Sequence, residues 1–406
     1  MDSSSHSTSV RPQGSAGEVF VAFLKLGLTA FGGPIAHLGY FRDELVLRRK
    51  WLDEAGYADL VALCQFLPGP ASSQVGFALG LWRAGPLGAL AAWAAFTLPS
   101  AILLLLFALA AGTLDGPLAQ GVLQGLKLVA VAVVAQAVWG MAKALTPDRP
   151  RAGIALAALA AVVLLPGAFG QVLAIMLGVT GGLWLCRSLP LPAVSVLHFP
   201  VSRRAGMLAL ALFAGLLLGL PLLASLADSH GLDLVAGFYR AGALVFGGGH
   251  VVLPLLEAET VAAGWLSPDA FIAGYGLAQA VPGPLFTFAA YLGAVATPSP
   301  NGVIGASLAL IAIFLPGFLL LVGTLPFWNR LRGRPLAQAG MAGANAAVVG
   351  ILAAALYNPV FVSAVLSPLD FALAATGFVA LIAFKAPPWM VVLGLAVAGG
   401  VLGLLA

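Results

Sequence analysis

FGGP at residues 31–34, WL at 51–52 and QFLPGP at 65–70 form a series of short motifs that occurs twice in this chain. The second copy is FGGG at 246–249, WL at 265–266 and QAVPGP at 279–284. The offset between the copies is 215 residues at the glycine cluster and 214 at the other two motifs. Motifs that recur in the same order at a nearly constant offset indicate an internal duplication.

The composition predicts a membrane protein. Of the 406 residues 61% are hydrophobic and 8% are charged, and the mean hydropathy is +1.03. A soluble domain has about a quarter charged residues, so this chain lacks the polar side chains to cover a water-facing surface. Its apolar runs often exceed the ~18 residues of a membrane helix and lack the alternation of barrel strands. We therefore expect an all-α integral membrane protein in the lipid bilayer, neither a soluble enzyme nor a nucleic-acid-binding protein.

The apolar segments predict two inverted repeats. Each half of the chain has six hydrophobic segments, and one unmatched segment near 205–227 lies between the halves. An odd connecting helix turns the second half over, as in many secondary transporters. The expected organisation is a disordered cytoplasmic tail over 1–17, an N-terminal repeat over 18–189, a linker with the connecting transmembrane helix over 190–234, and an inverted C-terminal repeat over 235–406.

The positions of Lys and Arg predict the topology. If all thirteen segments crossed the membrane from a cytoplasmic N-terminus, the loop with Arg42, Arg48, Arg49 and Lys50 would lie outside, against the positive-inside tendency. If the four segments broken by Gly and Pro enter the membrane and turn back, that loop is cytoplasmic. We therefore expect nine crossing helices and four re-entrant hairpins of half-helices. Thirteen full but broken crossings are the alternative.

The breaks themselves predict an anion site. Gly and Pro free backbone groups that hydrocarbon cannot satisfy, so such breaks lie in protein or line a wet cavity. Each break would aim a half-helix N-terminus, with its partial positive charge, at the membrane middle; helix kinks used only for packing are the alternative. The candidate binding residues at the breaks are Phe31, Gly32, Gly33, Pro34, Pro68, Gly69, Pro70, Gly247, Gly248, Gly249, Pro282, Gly283 and Pro284.

Two cations extend the candidate site. Lys25 and Arg240 each lie six residues before the Phe of a glycine cluster, so they are related by the repeat. A charge at membrane depth is costly and usually marks a site, although snorkelling to the interface is the other explanation. Together they would suit a dianion. Lys127 is a weaker candidate that breaks the symmetry, because its counterpart is Asn345.

Uncharged polar residues flank the breaks. They could donate hydrogen bonds to an oxyanion or only satisfy freed carbonyl groups. A proton-coupling role is the weaker prediction for His37 and His250, which do not align with each other. The candidates of this kind are Gln65, Ser72, Ser73, Gln279, Thr287 and His250.

Other residues narrow the mechanism. Asp59, Glu257 and Asp370 lie near predicted segment ends, and no carboxylate is expected deep in a membrane segment, which argues against a metal site or a carboxylate-built cation pore. The chain has no Walker-type phosphate loop, so ATP-driven pumping is not expected. Secondary transport remains, without cofactor or metal.

These motifs resemble the signature segments of the bacterial chromate ion transporter family in its long-chain, two-domain form, over essentially the whole chain. The resemblance implies efflux of chromate across the bacterial inner membrane and chromate resistance, with sulfate as a similar oxyanion. The second copy departs from the first, with Gly249 in place of Pro34 and His250 in place of Ile35. An uptake carrier or anion channel and an enzyme acting on an anionic lipid headgroup are the other hypotheses. The oligomeric state stays open, a homodimer included.

Overall fold

A computed structural model describes residues 14–31, 33–111, 116–165, 168–187, 199–246, 249–331 and 334–405. The described residues form helices and no strand. In chain order the helices are α1 (Ala16–Thr29), α2 (Gly33–Phe41), α3 (Glu54–Phe66), α4 (Ala71–Ala111), α5 (Pro117–Leu145), α6 (Arg149–Leu164), α7 (Ala168–Leu185), α8 (Arg203–Ala227), α9 (His230–Leu244), α10 (Val252–Thr260), α11 (Pro268–Ala278), α12 (Phe288–Val295), α13 (Gly302–Thr324), α14 (Trp328–Leu331), α15 (Pro335–Ala355), α16 (Val362–Ala364), α17 (Pro368–Ile382) and α18 (Pro388–Leu405).

Six helices are long and apolar enough to cross a membrane by length and composition. They carry many exposed apolar side chains, as lipid-facing helices do, for example Leu208, Leu218 and Leu226 on α8. The all-α membrane fold is therefore confirmed. Most of the expected tail (residues 1–13) and part of the expected linker (188–198) lie outside the described residues, and the proposed domain boundaries stay predictions.

The first broken segment forms a re-entrant hairpin. Its α1 begins at the capping residue Ser15, whose hydroxyl accepts from the Glu18 backbone N–H. After the break, α2 continues through the π-helical segment Arg42–Arg48 and returns to the level where α1 began. The Trp51 indole N–H donates to Glu18 Oε1 at 3.1 Å. Residues 33 positions apart therefore meet at the open end of the hairpin.

The second broken segment opens to the same side. Its arms are α3 and residues 71–83 of α4, and Arg83 at the end of the second arm binds Glu18 at 3.0 Å. At Ala84 and Gly85 the backbone leaves the helical region and the chain reverses, so residues 86–111 form a separate arm, which is long and apolar enough to cross a membrane. The division falls between two apolar runs of the sequence, near 57–81 and 86–112, which are two of the six hydrophobic segments of the first half.

The second repeat has the same two hairpins. Helices α9 and α10 form one, whose open end is marked by His230 and Trp265 with ring centroids 4.8 Å apart. Helices α11 and α12 form the other, and the Thr297 backbone N–H donates to the Trp265 carbonyl at 2.9 Å. Both hairpins of this repeat therefore open at one common level.

The two repeats open to opposite sides of the membrane. Helix α13 starts beside the end of α12, where Gly305 packs on Gly293, and its 23 residues span about 35 Å. At its far end the Trp328 indole N–H donates to Asp59 Oδ1 at 3.2 Å, on the side to which the first repeat opens. Inverted repeats with re-entrant half-helices are thus confirmed, and thirteen full crossings are not what the chain forms.

The outer helices exchange partners between the repeats. Helix α5 of the first repeat packs on α17 and α18, and α15 of the second packs on α6 and α7. Glycine permits the close approach, since Gly121 lies against Gly399 and Gly182 against Gly343. The repeats are therefore interlocked around the central hairpins, where the four breaks lie.

Candidate functional site

Reciprocal hydrogen bonds join the four breaks at the centre of the protein. The Gly69 backbone N–H donates to the Val245 carbonyl at 2.7 Å, and the Gly283 N–H donates to the Ala30 carbonyl at 2.9 Å. Gly69 corresponds to Gly283 and Ala30 to Val245 under the repeat, so each Pro-Gly-Pro turn satisfies a carbonyl freed in the other repeat. This contact is the pseudo-two-fold centre of the molecule.

Glycine is required at both turns. The φ angles are +120° at Gly69 and +106° at Gly283, which side chains with a Cβ rarely adopt. A Cβ on Gly69 would lie 3.0 Å from the Gly317 Cα, and one on Gly283 would lie 2.9 Å from the Ser100 hydroxyl. The turns therefore need both the conformational freedom and the small size of glycine.

The two glycine clusters face each other. Gly33 has a φ of +78°, and a Cβ there would lie 3.5 Å from His250 Nε2. A Cβ on Gly249 would lie 3.1 Å from the ring of Pro34. Phe31 is half-buried beside the break. The structure thus brings the predicted clusters together, but Gly32, Gly247 and Gly248 lie outside the described residues.

The backbone around the Pro-Gly-Pro turns makes many of its hydrogen bonds within the protein. Pro34 is the second residue of α2, whereas Pro70 lies one residue before α4 and its carbonyl accepts from the Gln74 N–H at 2.9 Å. Pro68 and Gly317 accept both hydrogen bonds of the Gln74 side-chain amide, at 2.9 Å each. With the Gly69 and Gly283 N–H groups also bound to protein carbonyls, much of the polar backbone at the turns is satisfied internally.

The predicted uncharged residues separate into two groups. Thr287 donates to the Pro284 carbonyl at 2.7 Å, beside Pro282, and Gln65 is exposed at the end of α3. Ser73 is buried with no partner for its hydroxyl among the described residues, whereas Gln279 is half-buried and hydrogen-bonds to Tyr275. Of these residues, Ser73 therefore offers the buried polar group that is ready to bind a ligand.

The two histidines come close to the same place. His37 is buried on α2, its Nδ1 lies 3.4 Å from the Ser72 hydroxyl, and its ring also hydrogen-bonds to the Ala30 backbone. Nδ1 of His250 lies 2.8 Å from the Tyr275 hydroxyl. They do not align in sequence, yet the facing glycine clusters bring both to the centre.

The repeat-related cations are both paired with carboxylates. Lys25 Nζ lies 2.8 Å from Glu44 Oε2. Arg240 binds Glu259 through two parallel hydrogen bonds, with Nε to Oε1 at 2.6 Å. Glu44 and Glu259 are 6% and 9% exposed, so each repeat has a carboxylate buried in the protein beside its cation. The apolar runs of the sequence end before both residues, whereas the helical hairpin arms continue through them.

A signal for these carboxylates was present in the sequence. Glu44 and Glu259 are 215 residues apart, as Lys25 and Arg240 are, and each lies 19 residues after its cation. A comparison of charged residues at the repeat offset would have found the pairs. Lys127, the unsymmetric candidate, is also paired, with Nζ 2.8 Å from Asp269 Oδ1.

This architecture is that of a multi-pass helical membrane protein whose two inverted repeats meet at glycine- and proline-broken half-helices. In the described ranges no group of three or more His, Cys, Asp or Glu could hold a metal ion.

The sequence model of the chromate transporter family matches residues 17–185 and 232–402, so the chain belongs to that family. A chromate transport protein of Pseudomonas aeruginosa is 31% identical over 357 residues, which cover 85% of this chain and 81% of the relative. A probable chromate transport protein of Synechococcus elongatus is 31% identical over 354 residues, which cover 86% of this chain and 85% of that relative. A chromate transport protein of Cupriavidus metallidurans is 27% identical over 344 residues, which cover 84% of this chain and 81% of that relative. No solved structure matches the chain.

Proposed function

We propose that this protein is a secondary transporter that exports chromate across the bacterial inner membrane and so confers chromate resistance. The observation that carries the proposal is the reciprocal pair of hydrogen bonds between the breaks, Gly69 to Val245 and Gly283 to Ala30. Hairpins that open to opposite sides and meet at one centre are suited to alternating access. Membership of the chromate transporter family supports chromate as the substrate.

The charge distribution supports the direction. The first-repeat hairpins open to the side with Arg48, Arg49 and Lys50, which the positive-inside tendency makes cytoplasmic. A dianion that leaves a negative-inside cell gains about 2.3 kcal/mol per charge per 100 mV of membrane potential. The potential alone can therefore drive export.

The cation pairs have a place in this proposal. Glu44 also binds Arg48 and Arg49, at 2.9 and 2.8 Å, so its cluster with Lys25 has three cations around one carboxylate. Such a cluster attracts a dianion to the cytoplasmic mouth. Arg240 and Glu259 form a neutral pair at the opposite mouth, where release is favoured. The candidate site residues at the breaks would then hold the oxyanion between the two mouths.

Uptake of radiolabelled chromate into inside-out membrane vesicles tests the proposal. We expect accumulation that stops when the membrane potential is collapsed and that excess sulfate reduces by competition. Collapsing the proton gradient separately identifies any coupling to protons. No accumulation with correctly inserted protein would contradict export. Accumulation only in right-side-out vesicles would favour the alternative of an oxyanion uptake carrier or channel.

A further inference from the structure

Two arms of α4 place a set of polar groups on one face. The arms run antiparallel, with Gly80 packed against Gly88 near the turn. Phe77 on one arm and Trp93 on the other both contact the Phe318 ring, at centroid distances of 4.3 and 6.2 Å. They therefore lie opposite each other and face α13.

One helical turn further from that reversal, towards the breaks, lie Ser73 and Thr97. Residues four apart share a helix face, so Ser73 follows the face of Phe77 and Thr97 that of Trp93. Ser73 is 2% exposed and Thr97 is fully buried. The Ser73 hydroxyl, the Thr97 hydroxyl and the Trp93 indole N–H have no hydrogen-bond partner among the described residues.

Hydroxyl groups elsewhere in the chain behave differently. A Ser or Thr in a membrane helix can donate to the carbonyl four residues earlier, as Thr29, Thr180, Thr260 and Thr376 do. Thr97 could reach the Trp93 carbonyl in the same way and does not. A buried polar group without a partner is unfavourable, so these groups indicate a hydrogen-bonding ligand.

His37 borders the set from the neighbouring hairpin. Its Nδ1 faces the Ser72 hydroxyl, and its ring meets the Phe96 ring edge-on at 5.3 Å, so it lies between the residues next to Ser73 and Thr97. The imidazole also hydrogen-bonds to the Ala30 backbone. His37 is therefore held within the protein beside the donors and is not counted among them.

The second repeat has a different surface at the matching positions. Thr97 corresponds to Phe314, Trp93 to Leu310 and His37 to Val252. Ser73 corresponds to Thr287, whose hydroxyl is already bound to the Pro284 carbonyl. The donors are therefore a property of the first repeat, opposite a largely aromatic and aliphatic surface.

We propose that Ser73, Trp93 and Thr97 form a wall of uncharged donors that binds the oxygens of the tetrahedral oxyanion. The inference rests on the proposed function and names the groups that would bind its substrate. The paired state of Lys25 and Arg240 supports it, since those cations already bind carboxylates. Uncharged donors form hydrogen bonds to the oxygens of the anion without a fixed opposite charge. Binding is therefore weak enough for the ligand to leave as well as to enter.

Isosteric variants of the purified full-length protein in proteoliposomes test the wall. Thr97→Val and Trp93→Phe remove one donor each while keeping most of the side-chain volume. We expect each to raise the KM for chromate about 10-fold, the loss of one hydrogen bond to a charged ligand. Thr376→Val, whose hydroxyl is bound to its own helix, is the matched control and should leave KM unchanged.

A thermal-shift measurement without ligand separates binding from folding. Because Thr97→Val removes an unpartnered buried hydroxyl, its unliganded melting temperature should be no lower than that of the wild type. Stabilisation by chromate, sulfate or molybdate should fall in the variant.

The outcomes distinguish the two proposals. Wild-type KM and wild-type ligand stabilisation in Thr97→Val and Trp93→Phe would overturn the donor wall and leave chromate transport intact. A wild type that binds these oxyanions but does not accumulate chromate would overturn the proposed function and keep the wall. A wild type that binds none of the three oxyanions would overturn both.

Discussion

The first hairpin of each repeat has the same backbone path and a different charge. In the first repeat Glu44 is bound by Lys25, Arg48 and Arg49, whereas in the second Glu259 is bound by Arg240. The positions that match Arg48 and Arg49 are Ala263 and Gly264. One cluster therefore has an excess of two positive charges, and the other is neutral.

This difference shows that duplication fixed the fold and left the chemistry free to diverge. Each arm must turn at mid-membrane and return, so the glycines, the Pro-Gly-Pro turns and the cation-carboxylate pair are kept in both copies. The groups that could act on a ligand differ: Trp93 of the first repeat, for example, packs on Phe314 and Phe318 of the second, and the position that matches Trp93 is Leu310. Inverted halves can thus share a backbone path and differ in the polar groups that they carry.

Removing the cation should damage the second repeat more than the first. Arg240→Ala leaves Glu259 without its described partner, so we expect the free energy of unfolding to fall by about 2 to 3 kcal/mol. This loss is smaller than for a fully buried pair because Arg240 is partly exposed. Lys25→Ala leaves Glu44 with two arginines and should cost less than about 1 kcal/mol. Thermal unfolding in detergent measures both.

The double variant Arg240→Ala/Glu259→Ala provides the control. It removes the stranded carboxylate, so we expect it to recover part of the lost stability. Equal destabilisation by Lys25→Ala and Arg240→Ala would mean that the extra arginines of the first repeat do not stabilise Glu44.

Substitution at the Pro-Gly-Pro turns should have the next largest effect. Gly69→Ala and Gly283→Ala each force a residue with a Cβ into a left-handed conformation, which should lower the free energy of unfolding by about 1 to 2 kcal/mol. Gly69→Ala should be the worse, since its Cβ would lie 3.0 Å from the Gly317 backbone, whereas a Cβ on Gly283 comes closest to the movable Ser100 hydroxyl, at 2.9 Å, and lies 3.2 Å from the Phe96 carbonyl oxygen. Unfolding and transport assays of both, with Gly283→Ala/Ser100→Gly to relieve the contact, measure the difference. A milder Gly69→Ala would contradict the packing at the centre.

The positive excess of the first cluster should show as a smaller, salt-dependent effect. Arg48→Ala/Arg49→Ala removes that excess at the proposed cytoplasmic mouth, and we expect the KM for chromate to rise about 3- to 10-fold at low ionic strength. The effect should shrink in high salt, because exposed charges are screened. Arg42→Ala/Glu54→Ala, which deletes a nearby exposed pair with no change in net charge, is the control. A KM change that is independent of salt would contradict attraction at the mouth.

Local sequence chemistry predicted most of the fold. Gly69 and Pro70 break a helix whatever surrounds them, and the Arg and Lys after Phe41 place the hairpin's open end. The pairing of Glu44 was missed because the sequence after Phe41 resembles a loop, although Glu44 and Glu259 recur at the same offset as Lys25 and Arg240. Thr97 and Trp93 were missed for a related reason: they lie in an ordinary apolar helix, and only the fold shows that their polar atoms lack partners.

Side-specific labelling tests the inverted hairpins most directly. Single cysteines replace Lys50, Pro147 or Ala263, all of which are exposed, in a Cys64→Ala/Cys186→Ala background that removes the two buried native cysteines. Each variant is labelled with a membrane-impermeant maleimide in right-side-out and in inside-out vesicles. The re-entrant architecture predicts that positions 50 and 147 react from the same, cytoplasmic side and position 263 from the other. Reaction of position 50 from the side opposite to position 147 would mean that the first segment crosses the membrane, and would contradict the account.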